Sequence, residues 1–185
     1  SYVEIAVSEL IDFNDKINVV LPCDDGLILL ALVVAKYIGV PIDIVIAGNS
    51  KKCDNINKYI KISKINDNEI EDLISDYFLE YDVVFDPITA KGVLAFEECF
   101  DDLDSDNLCL VISVSSPYLF ARKVNKAITG RVELDVDRAI QRIYQESSLN
   151  VPESIENGKI SPHYLEEENI PLEIAIRFIK SIIKI

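Results

Sequence analysis

The chain has 185 residues, with 32 acidic side chains, 18 Lys plus Arg, a single His and a formal net charge of −14. A chain of this length can bury a core without staples, and 49% hydrophobic with 27% charged residues argues against disorder. The acid excess argues against a phosphate-backbone partner, which would need a basic face, so no nucleic acid is expected.

The sequence holds no methionine and opens at Ser1. An encoded chain begins with Met, so processing or a larger parent is expected. The single His163 leaves no His cluster for zinc. The cysteines Cys23, Cys53, Cys99 and Cys109 show no C-x-x-C spacing and read as free thiols in a reducing compartment. The longest apolar run, Leu27 to Val34, is too short to span a bilayer. No membrane partner and no metal are expected, and the location is expected to be cytoplasmic.

In chain order, Val3, Ala6, Val7 and Leu10 fall at helical spacing and predict a short first helix. Ile17–Leu21 is a β-branched run ending at Pro22, a buried strand. Cys23 to Gly26 is the turn after it. Leu27–Ile38 follows as a helix apolar nearly all round, closed by Gly39. Pro41–Ala47 is a second β-rich run. The five lysines between residues 51 and 64 mark a surface linker or irregular segment. Asn66 with Glu69 forms a capping box, ahead of a helical stripe at Ile70, Leu73, Ile74, Tyr77 and Phe78. Val83–Phe85 is a short strand candidate and Thr89–Phe100 a helix. Residues 97–106 hold six acids but lack the glycine and distal glutamate of an EF-hand, so a solvated helix end is expected. Leu108–Ile112 reads as another buried strand. Ser116 and Pro117 open a helix with Phe120, Val124, Ala127 and Ile128 on one face and Gly130 beyond it. Val136, Ile140, Ile143 and Tyr144 mark a further helix, and Pro171 opens the last one.

Strand, helix and strand in this length make a βαβ unit, and continuous apolar strands indicate a parallel sheet covered on both faces. The fold expected is α/β, three-layered, with a mainly parallel sheet of about four strands. Residues 1–130 are expected to form the sheet domain and 131–185 a helical extension packed on it. Two strand-to-helix turns, Cys23 to Leu27 and Ser113 to Tyr118, then share the edge where such sheets place ligands. The first turn has one glycine, Gly26, beside Asp24 and Asp25. Those carboxylates can cap the helix themselves and would repel a phosphate at the same N–H groups.

Several segments in order resemble threonine synthase. Leu21-Pro22-Cys23-Asp24-Asp25-Gly26-Leu27-Ile28-Leu29-Leu30-Ala31 resembles V-P-T-G-N-F-G-N-I-L-A, and Ala35-Lys36-Tyr37-Ile38-Gly39-Val40-Pro41-Ile42 resembles A-K-x-M-G-L-P-I. Asp86-Pro87-Ile88-Thr89-Ala90 resembles D-P-H-T-A, and Ser113-Val114-Ser115-Ser116-Pro117-Tyr118-Leu119-Phe120 resembles S-T-A-S-P-Y-K-F. Leu149 to Ser154 is similar to the T-G-V-P-x-P region. The resemblance implies the carboxyl-terminal part of a pyridoxal-phosphate enzyme of the tryptophan-synthase-β fold type, one that turns O-phosphohomoserine into threonine and phosphate.

The departures fall on the cofactor contacts that the resemblance implies. The phosphate cradle becomes Asp24-Asp25-Gly26-Leu27-Ile28. The Thr facing the pyridine nitrogen falls at Val114, flanked by Ser113 and Ser115. The family's His is Ile88 and its Lys is Leu119. The Schiff-base lysine belongs upstream of Ser1, and a family segment before Asp86 is replaced by the Lys-rich stretch. Asp24, Asp25, Gly26, Ser113 and Ser115 are thus degenerate cofactor positions, with Asp86 and Thr89 as substrate-crevice candidates. Asp86 alone also reads as a turn or cap residue. The chain is expected to hold no cofactor by itself, with pyridoxal phosphate bound only if an upstream domain completes the site. The favoured reading is a non-catalytic interaction or regulatory scaffold whose partner is itself or an upstream threonine-synthase domain. The alternatives are part of a working enzyme, and a binder of a small amino-acid-like ligand in the crevice.

Overall fold

The computed structural model describes residues 16–22, 26–49, 59–104, 106–113, 115–156 and 172–183. The expected helix over residues 2–11, Asp24, Asp25 and His163 lie outside the described residues, as does the Lys-rich stretch before Tyr59.

Four strands form one sheet: β1 (Ile17–Pro22), β2 (Ile42–Asn49), β3 (Ile60–Lys64) and β4 (Leu108–Val111). Their order is β3-β2-β1-β4, and every neighbouring pair runs parallel. All six residues of β1 are buried, as a strand covered on both faces requires. Side chains alternate between faces with period two. Val19 and Leu21 pack against Leu29, Leu32 and Val33 of helix α1 (Gly26–Tyr37) and Ile179 of helix α7 (Leu172–Ile183). Val20 packs on the other face, against Ile70, Leu73 and Ile74 of α2 (Asp67–Tyr81) and Ala90 and Val93 of α3 (Pro87–Cys99). The architecture is the expected three-layer α/β fold.

A third apolar cluster joins Val84, Tyr118 and α4 (Ala121–Thr129) to Ala139 and Ile143 of α5 (Val136–Glu146). The Tyr118 hydroxyl donates to the Leu149 carbonyl at 2.8 Å, fixing the chain that leads to the short helix α6 (Glu153–Glu156). Single 3-10 turns, Phe100–Asp102 and Pro117–Phe120, follow α3 and precede α4. The buried stripe of α5 is Ala139 and Ile143, while Val136 and Tyr144 are exposed.

Three expectations are corrected. The Lys-rich stretch ends in a strand, β3, and not in an irregular segment. Ile60 and Ile62 share one face and pack into the core under α1, while half-buried Lys61 pairs with Asp102 at 2.9 Å and Lys64 is exposed, which is how an edge strand tolerates lysine. Val83–Phe85 is not a strand. Asp82 adopts the left-handed conformation (φ 54°) and closes α2, after which Val84 is used as a plug in the third cluster. Finally, β4 is not buried. Among the described residues it is the other edge of the sheet, and Leu108 keeps 57% and Val111 36% of its surface exposed.

Candidate functional site

From β1 the chain crosses through α1 to β2 on one side, whereas β4 lies on the other. The carboxyl ends of β1 and β4 therefore flank the point where strand order reverses, the usual place for a ligand crevice in an open α/β sheet. The backbone ladder between them extends to Ile112, whose N–H donates to the Val20 carbonyl at 2.8 Å. Ser113 follows directly and is exposed.

The amino end of α3 approaches this crevice. Asp86 stands in extended backbone at the N-cap, and Pro87 supplies the preset φ of a first helical residue. One carboxylate oxygen of Asp86 accepts from the N–H groups of Ile88 (2.9 Å) and Thr89 (3.0 Å). The other accepts from the Thr89 hydroxyl at 2.5 Å. Both side chains are 1% exposed. Thr89 Oγ1 lies 3.4 Å from Ser113 Oγ, and the Ser113 hydroxyl reaches the Ser115 carbonyl at 3.3 Å. A polar chain thus runs from the buried carboxylate of α3 to the exposed hydroxyl at the end of β4.

The close approach of α3 rests on two glycines. A Cβ on Gly48 of β2 would sit 1.9 Å from the Lys91 carbonyl oxygen. One on Gly92 would sit 2.9 Å from the Leu21 carbonyl carbon. Helix and sheet backbones touch there, which sets Thr89 at the height of Ser113.

Of the residues expected at the site, Asp86, Thr89, Ser113 and Ser115 come together. Gly26 is the buried first residue of α1, at the β1 side of the same edge. Asp24 and Asp25 belong to the turn outside the described residues. Asp86 performs the cap role that its position before Pro87 also allowed. Ile88 turns toward a separate cleft and Leu119 is 53% exposed.

The sequence reading overlooked Asn18, fully buried in β1. Its amide nitrogen faces Cys109 Sγ at 3.6 Å, and its Oδ1 has no hydrogen-bond partner. A lone amide inside the run Ile17–Leu21 was the available signal. Charge perturbation also lies away from the crevice. The Lys36 amine bonds the Ile42 and Asp43 carbonyls at the opposite, amino end of β2, 4.7 Å from the Tyr59 ring centroid. Burial pushes its pKa down, against the pull of Asp43.

An open parallel sheet, helices on both faces and a polar crevice at the switch point define an open α/β domain of the parallel-sheet class. Among solved structures, threonine synthases share this fold. Yeast threonine synthase matches with a TM-score of 0.63 and 14% identity, over 99% of this chain and 50% of that one. The pyridoxal-phosphate-bound threonine synthase from Brucella melitensis gives 0.59 and 12%, over 97% of this chain and 49% of that one. Escherichia coli threonine synthase gives 0.60 and 16%, over 99% and 47%. At these identities the likeness is one of fold, and the chain spans about half the length of each. No protein-family model matches the chain, and no curated protein matches it.

Proposed function

We propose that this chain is a threonine-synthase-like domain that is not catalytic by itself and serves as an interaction or regulatory scaffold. The observation that carries this reading is the chemistry of the crevice. Pyridoxal phosphate asks for a phosphate cradle, a partner for its ring nitrogen and an imine-forming lysine. Among the described residues, the hydrogen-bonded set of the crevice includes no lysine. The hydrogen-bonded set is one carboxylate and its hydroxyl neighbours, Asp86, Thr89, Ser113 and Ser115. The N–H groups of Ile88 and Thr89, which an anion could use at the start of α3, are taken by Asp86. Val114, Ile88 and Leu119 stand where the resemblance calls for Thr, His and Lys.

The open edge supports the scaffold role. Because Ile112 donates to β1, its register mates Leu108 and Leu110 also address β1, while the backbone groups of Cys109 and Val111 face outward. An exposed strand with apolar side chains is a template for another chain.

Incubation with pyridoxal phosphate, borohydride reduction and peptide mass spectrometry test the proposal. No lysine should carry a stoichiometric reduced adduct. One lysine labelled to completion would overturn it. A second reading, part of a working threonine synthase, is favoured by the half-length match to its neighbours. It predicts that a lysine on a second, complementing chain takes the label.

A further inference from the structure

The register of the sheet sets Asn18 of β1 beside Cys109 of β4, so the two side chains are neighbours on the face of the sheet that carries Val20. They differ in access. Asn18 is fully buried, whereas Cys109, on the edge strand, is an exposed free thiol. The Asn18 amide nitrogen donates to the Cys109 sulfur at 3.6 Å, so the buried amide is aimed at the thiol. Its Oδ1 is buried as well and accepts nothing. A buried amide oxygen without a donor is costly, and the flanking side chains of Ile17, Val19 and Val20 have none to give. What the pair lacks is one O–H or N–H donor, delivered next to a sulfur that already accepts from Nδ2.

We propose that Cys109 is a reversible oxidation site that forms a sulfenic acid, and that Asn18 is its positioning residue. The oxidised side chain supplies the missing donor: the sulfur keeps the amide N–H, and the new S–O–H group donates to Oδ1. The co-reactant is a small hydroperoxide, hydrogen peroxide being the simplest. The Cys109 thiolate attacks one peroxide oxygen, and the S–O bond forms as the O–O bond breaks. The leaving hydroxide takes up the proton released by the thiol and departs as water. The sulfur gives up two electrons, and each peroxide oxygen gains one. Cys99 is the internal contrast, being buried with its sulfur against the Ser63 hydroxyl at 3.9 Å.

The test treats the whole folded chain with hydrogen peroxide, traps sulfenic acid with dimedone and reads the peptides by mass spectrometry. Cys109 should carry the adduct and Cys99 should not, and dithiothreitol added before dimedone should erase the label. In the unaltered chain, the side-chain amide NMR signals of Asn18 should move on oxidation and return with dithiothreitol. In Asn18→Leu, of similar volume, the sulfenic acid that survives a fixed delay should fall about fivefold, the ratio that one neutral hydrogen bond supports. A folded chain in which Cys109 stays unlabelled, Asn18 signals that do not move while Cys109 is labelled, or equal survival in Asn18→Leu would each overturn the inference. The amide signals need no substitution, so they decide the matter also where Asn18→Leu does not fold. None of these readouts involves a cofactor, a lysine or a second chain, so this inference and the proposed function fail separately.

Discussion

Tyr77 shows how much a single side chain can hold between two elements. From α2 its ring meets Phe85 and Tyr81, with centroids 5.2 and 5.5 Å away, and its hydroxyl donates to Glu97 of α3 at 3.0 Å. Burial first, and then the Glu97 carboxylate, pushes its pKa up to about 12. A phenol raised above its unfolded value of about 10 holds more protons folded than unfolded between those two values. The stability it contributes is therefore complete below about pH 10 and is lost as pH rises toward 12. Lys36, pushed down by burial, acts with the opposite sign, so the difference between variants is the clean observable. Tyr77→Phe should flatten the alkaline fall in stability, while costing about 1 kcal/mol near neutrality for the lost hydrogen bond. Urea unfolding at neutral pH and near pH 11 checks this; parallel pH curves for the two proteins would contradict it. At this scale Ser113 was legible as the end of a strand, whereas Asp86 and Thr89 were marked by the resemblance of Asp86-Pro87-Ile88-Thr89-Ala90 to D-P-H-T-A. The neighbour of Asn18 was not legible, since nothing in a sequence pairs a buried amide with a thiol 91 positions away.

Elements were legible where one face is apolar and caps are clear. The α2 stripe and the positive φ of Gly39 and Gly130 follow from local chemistry, whereas α3, expected from Thr89, starts two residues earlier at Pro87. The third strand was misplaced, because the Lys-rich stretch masks the short alternation Ile60–Lys61–Ile62, whereas Val83–Phe85 is apolar without being paired. Partners across a sheet are not local information. The same holds for Gly48, whose role depends on α3 being packed onto β2 and is invisible from its neighbours in sequence. Gly48→Ala should cost about 3 kcal/mol or more, because backbone on both sides must move. Gly130→Ala meets nothing within 4 Å and should cost only about 1 kcal/mol for its left-handed backbone, φ 68°. Comparing the two by denaturant midpoint tests the backbone contact. Equal losses would mean that α3 does not bear directly on the sheet.

At the scale of the molecule, the fold class could be read from the βαβ pattern and the run of buried strands. The exposure of β4 could not, because an edge strand with an apolar sequence looks like a central one. That exposure joins two facts: the chain reproduces half of a larger fold, and its sheet stops at Leu108–Val111 with apolar side chains in solvent. A net charge of −14 opposes contact between copies, but at about 0.15 M salt such repulsion is screened beyond roughly 8 Å. The scaffold reading then expects strand pairing at this short edge, whose own side chains carry no charge. Sedimentation velocity over a concentration series, comparing the chain with a Leu108→Lys, Val111→Lys double variant, tests the scaffold reading most directly. The account predicts reversible association of the parent chain that the lysines abolish. A parent chain that stays monomeric throughout, or a double variant that associates as well as the parent, would contradict it.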